Sequence, residues 1–146
     1  MCGTIGLFFR FGAEAILFGN WFGKKPQPLS GAPAVRREKT YSARTGYVYQ
    51  YFYRGRRPAS AATEFVFSIS ADRKCWRDVS VIVSASAVEA WERSHQRDLS
   101  STEWYAIAKM ALFAAFDERA TPADLHQPVH VRAADVSGIV ESLGLA

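Results

Sequence analysis

Cysteine is scarce in this chain. Cys2 and Cys75 are the only two in 146 residues, far apart and outside any CxxC spacing. A disulfide-stapled scaffold needs more cysteines in a shorter chain, so that class is excluded and two ordinary thiols in a reducing compartment are expected. Cys75 opens an apolar stretch and reads as a packed thiol. Histidine is scarcer than a metal centre needs. His126 and His130 stand four apart with Pro128 between them, which rules out a helical pair. On a strand they share a face near Asp124, but zinc takes three or four ligands, so no metal is expected.

The common catalytic signatures are missing as well. There is no GxSxG elbow, no P-loop, no dinucleotide fingerprint and no HExxH. No cofactor is therefore expected. Glu92 and His95, three apart on a predicted helix, have acid–base spacing, though so do many pairs on helix surfaces. A small enzyme stays open only with a site assembled from residues distant in sequence.

An uninterrupted membrane-length apolar run is also lacking. Residues 3–23, GTIGLFFRFGAEAILFGNWFG, come nearest, but Arg10, Glu14 and Asn20 interrupt them. A spanning helix wants about 20 predominantly apolar residues with few charges, and glycines weaken the helix further. A secretory leader places its positive charge before the apolar stretch; here Lys24 and Lys25 follow it. The segment reads as an apolar N-terminal arm, residues 1–23. Phe8, Phe9, Phe11, Phe18, Trp21 and Phe22, with Lys24 and Lys25, form its docking set for a membrane surface, a partner or its own domain. A true start at Leu17 is a further reading of the same segment. The expected location is cytoplasmic, with peripheral membrane contact.

What is present is a globular composition, 49% hydrophobic and 22% charged, long enough to bury a core unaided. Charge is unevenly spread. Residues 1–60 hold ten Lys or Arg against two acids, a net +8; residues 61–146 hold eight against twelve, a net −4. Residues 24–40, KKPQPLSGAPAVRREKT, read as an extended Pro/basic linker, whose Arg36, Arg37 and Lys39 form a basic flank.

The remainder, 41–146, reads as one α+β domain. Alternation predicts strands over 46–54, 63–70 and 75–83, joined by short turns as an antiparallel meander. Gly55 and Pro58 are expected to end the first strand. Ser86 with Glu89, and Ser100 with Glu103, have capping-box spacing and predict two helices. The second, over 101–118, is apolar nearly all round, which suits a central core helix. A short strand over 129–132 and a closing helix over 135–143, ended at Gly144, complete the order. The expected fold is a three- to four-stranded antiparallel meander, covered on one face by two to three helices, behind an extended arm.

One stripe suggests a binding surface. Tyr47, Tyr49, Tyr51 and Tyr53 share a strand face and lead into Arg54, Arg56 and Arg57. Such a face can stack bases and hold phosphates; tyrosines also suit a half-buried strand in any small domain. The leading functional expectation is a non-enzymatic interaction module or accessory subunit with a protein partner, recruited through its arm. The alternative is a nucleic-acid-binding protein using the Tyr/Arg face.

Overall fold

The computed structural model describes residues 27–145. Residues 1–23 of the arm, with Lys24 and Lys25, lie outside the described residues. The chain forms β1 (Lys39–Ser42), β2 (Val48–Ala59), β3 (Ala62–Ser70), β4 (Arg77–Ser84), α1 (Ala85–His95), α2 (Ser101–Glu118), a 3-10 turn (Pro122–His126), β5 (Val129–Val131) and α3 (Ala133–Ser142).

Five strands make one sheet in the order β1-β2-β3-β4-β5. The first four run antiparallel, as short turns require, but β5 lies parallel to β4. The sheet is therefore mixed and one strand wider than a three- to four-stranded meander. The extra edge strand is β1, which begins at Lys39. The parallel pairing follows from the connection, because a crossover carrying α1 and α2 returns the chain in the same direction.

The alternation of β2 and β3 decides the core. Tyr49, Tyr51, Phe65, Phe67 and Ile69 face the helices, together with Val79, Val81 and Val83 of β4. α2 lies against them through Ile107, Leu112 and Phe116, all fully buried. α1 adds Val88 and Trp91, and α3 adds Val136 and Val140.

Three local departures from the pattern have physical reasons. β2 runs through Gly55 and Pro58 to Ala59. Gly55 sits at a bulge, where the register to β3 shifts between Tyr53 and Gly55, and Pro58 lies beyond Tyr51, where β1 no longer pairs with β2, a place that tolerates proline. α1 starts two residues early: Ser84, not Ser86, caps it by accepting from the Ala87 N–H. Ser86 instead stands 3.0 Å from the Ser84 hydroxyl. Cys75, finally, is not a free thiol. The Ser100–Glu103 box forms in full at the head of α2. Gly144 takes φ +72° behind α3, as a helix-ending glycine does.

Candidate ligand-binding cleft

The tyrosine stripe does not form one surface. Tyr47 is 41% exposed, whereas Tyr49 and Tyr51 are 0% and 5% exposed. Tyr49 stacks on Phe116 at 4.4 Å and Tyr51 meets Phe113 edge-on at 5.6 Å. Tyr49 thus gives its flat face to α2, and Tyr51 is buried beside it. Burial raises the phenol pKa of Tyr49, Tyr51 and Tyr53, so all three are neutral near pH 7.

The arginines separate in the same way. The bulge at Gly55 resets the alternation, so Arg56 lies opposite core-facing Phe65 while Arg57 lies opposite Glu64 on the other face. Arg57 makes a two-point ion pair with Glu64, Nε to Oε1 at 2.8 Å and Nη2 to Oε2 at 3.3 Å. Ser80 also donates to Glu64. The hydrogen bond from Arg57 is the main cause that holds the Glu64 carboxyl below its usual range. Arg54 is taken up by Asp78 at 2.8 Å. Arg56 has no ion pair among the described residues.

What these residues build instead is a cleft of about 390 Å³. It opens where the chain swings away from the edge of β2 between Ser30 and β1. Ser30 pairs with Arg56 through two backbone bonds of 2.9 and 2.8 Å, and Lys39 pairs with Tyr51. Tyr51, Tyr53 and Tyr105 line its aromatic side, and Tyr53 and Tyr105 lie 4.7 Å apart. Arg37, Lys39 and Arg56 supply the charge. Ser101 and Thr102, the first residues of α2, complete the lining near a positive helix end.

No acidic residue among the described residues lines this cleft. The nearby carboxylates are committed elsewhere: Glu38 to Arg36 at 2.8 Å and Glu103 to Arg97 at 2.6 Å. Arg37 and Lys39 likewise have no ion pair among the described residues. Lys109 on α2 adds to the positive field; its ammonium pKa is lowered by burial and then by neighbouring Lys39. The cleft therefore offers cations and neutral phenols to an incoming anion. Its size falls in the range of small-ligand and side-chain pockets.

Sequence reasoning reached Tyr51, Tyr53 and Arg56, read Arg37 and Lys39 only as part of a basic flank, and passed over Tyr105. The signal for the first two was present. In an extended segment, residues 36 and 38 share one side and 37 and 39 the other. The sign pattern Arg36-Arg37-Glu38-Lys39 thus neutralises one side and leaves the other basic. Tyr105 is hidden in an all-round apolar helix, where nothing in the local sequence marks it as a cleft residue.

The other polar candidates do not converge. His126 Nδ1 is in hydrogen-bond contact with the Ala123 carbonyl, and His130 stands exposed on β5. No cluster of three or more His, Cys, Asp or Glu suited to a metal occurs among the described residues. Glu92 accepts the Leu99 N–H at 2.7 Å, while His95 stacks on Trp91 at 4.2 Å. Each is engaged in ordering the α1–α2 corner. A second cleft of about 590 Å³ lies between α2, β5 and α3. Its Arg119 is spent on the carbonyls of Asp124, Gln127 and Pro128, and Glu118 and Asp135 line it beside Arg132, so it lacks the single-sign charge of the first.

Comparison with known protein families, with characterised proteins and with solved structures finds no match for this chain. No helix among the described residues is long and apolar enough to cross a membrane.

Proposed function

We propose that this domain is a non-enzymatic interaction module that captures an acidic segment of a partner protein in the tyrosine-walled cleft. The observation that carries the reading is the trio Arg37, Lys39 and Arg56 around aromatic walls, with no acid among the described lining residues. Unpaired cations beside a concave aromatic surface recognise a carboxylate or phosphate and the apolar part next to it. Electrostatic complementarity of this kind sets partner choice and association rate.

A nucleic-acid ligand is the second reading, and it draws on the same Arg56 and Tyr53. Base stacking along a strand needs open ring faces. Tyr49 instead stacks on Phe116 and Tyr51 is buried, and Arg54 and Arg57 are ion-paired. A compact pocket suits one or two anchoring side chains better than a tracked phosphate backbone.

Fluorescence anisotropy tests the choice, using a labelled peptide of alternating Glu and Tyr and a labelled single-stranded oligonucleotide. The peptide is expected to bind more tightly than the oligonucleotide. Arg37→Glu with Lys39→Glu, both at exposed positions, should weaken peptide binding by about tenfold or more, since reversed charges add repulsion to lost attraction. Peptide binding indifferent to both substitutions sinks the proposal. Tighter oligonucleotide binding with a steep salt slope transfers the function to the second reading.

A further inference from the structure

The sheet has a second face, and the helices leave it alone. The buried residues of α1, α2 and α3 all belong to one core with the tyrosine side of the sheet. On the opposite side stand Gln50, Phe52, Val66, Ser68 and Ser70, placed there by the alternation of β2 and β3. Val66 is only 3% exposed yet has no place in the helix-side core. Ser68 and Ser70 are 4% and 3% exposed. Gln50 is 6% exposed, and its Oε1 finds no hydrogen-bond partner among the described residues. A sheet face of this composition is built to be covered.

The course of the chain points to what covers it. Gln27, the first described residue, has its carbonyl 3.5 Å from Arg57 Nη1. Arg57 lies on this second face beside Glu64. Whatever precedes Gln27 therefore reaches the domain at the rim of the helix-free face. The 26 preceding residues include Phe8, Phe9, Phe11, Phe18, Trp21 and Phe22. At roughly 3.3 Å per extended residue they are ample to cross a sheet whose strands are spaced about 4.8 Å apart. Trp76 belongs to this same side, its ring 5.4 Å from that of Phe52.

We infer that the apolar arm, residues 1–23, docks on the helix-free face of its own sheet. It lies over Val66 and beside Phe52 and Trp76, whose rings already carry the Arg36 guanidinium at 4.0 and 4.9 Å from their centroids, and it supplies a donor to Gln50. The arm is thus the second layer of the domain, and partner capture is left to the cleft. This inference does not depend on what the cleft binds.

Hydroxyl-radical footprinting of the full chain tests it, read by mass spectrometry at Phe52 and Trp76. The comparison is a full-length variant carrying Phe8→Ser, Phe9→Ser and Phe11→Ser, which alters the arm and no described contact. Phe52 and Trp76 are expected to react at least about fivefold faster in the variant, as uncovering a locally docked segment requires. Amide exchange in α2 should stay unchanged, which shows that the domain remains folded. Protection must also be independent of protein concentration. Equal labelling in both proteins overturns the inference. So does protection that grows with concentration, which marks a second copy as the occupant. So does flotation of the parent chain with anionic phosphatidylserine vesicles accompanied by faster labelling, which assigns the arm to a lipid surface.

Discussion

At the residue scale, Gly55 carries more of the site than its size suggests. Its φ is +129°, and a Cβ built there would lie 2.9 Å from the Ser30 carbonyl oxygen and 3.0 Å from the Leu29 Cβ. Two separate constraints, backbone conformation and close approach, thus demand glycine. The bulge that Gly55 makes also turns Arg56 to the cleft side and Arg57 to Glu64. Gly55→Ala is expected to cost about 1–3 kcal/mol, the usual toll of a strained backbone, and to part Ser30 from Arg56. Urea denaturation measures the first effect. Loss of amide protection at Ser30 and Arg56 measures the second, and unchanged protection at both would refute this role. The sequence marks Gly55 as a strand breaker, because local reading cannot know that a second strand segment presses against it. The basic stretch leading into β1 did carry a local mark, since its charges alternate with the strand period and set Arg37 and Lys39 on one side.

At the element scale, helix beginnings show why some local signals are decisive and others slip. Ser100 and Glu103 satisfy both halves of a capping box: Glu103 N–H donates to Ser100 Oγ at 3.2 Å, and Ser100 N–H donates to Glu103 Oε1 at 2.8 Å. Ser86 and Glu89 have the same spacing, yet the cap is Ser84. The difference is tertiary. Ala85 N–H is held by the Ala61 carbonyl of the β2–β3 hairpin at 3.1 Å, so β4 passes into α1 without a loop. Ser100→Ala should therefore cost about 1 kcal/mol, and Ser86→Ala should fall within about 0.5 kcal/mol of the parent. Thermal unfolding of the two variants checks this, and equal losses would contradict the assignment of caps. The edge strand β1 escaped detection for a similar reason. Its four residues follow a proline-rich stretch, and only pairing with Val48–Tyr51 makes them a strand. β5 was legible as a strand, but its parallel direction is set by the crossover and has no local mark.

At the scale of the whole molecule, the basic and acidic parts of the chain are joined by a few carboxylates. Asp117 at the end of α2 accepts the Tyr41 hydroxyl at 2.7 Å and the Arg44 N–H at 2.9 Å, tying the last turn of the helix to β1. Burial pushes the Asp117 carboxyl up, but these two hydrogen bonds and the Arg44 charge outweigh it and hold it low. Asp72 is lowered to about 2 by the N–H groups of Cys75 and Lys74. Glu64 and Glu103 shift the same way through Arg57 and Arg97. A carboxyl whose folded pKa is depressed contributes stability that is complete above its unfolded pKa, near 4. That contribution is lost as pH falls through the folded value. All four carboxylates act in this one direction, so stability should be flat in this respect from neutral pH down to about 5 and should fall steeply between about 4 and 2. Urea midpoints across that range measure the slope. Asp117→Asn keeps an acceptor for Tyr41 but removes the titrating group, so its acid slope should be shallower than that of the parent. A parallel slope would mean that Asp117 does not couple the helix to the edge strand. Because β1 also carries Lys39 into the cleft, the same acid transition should loosen the binding site before the core beneath Phe116 opens. Loss of Tyr41 amide protection at a higher pH than that of Leu112 is the expected order.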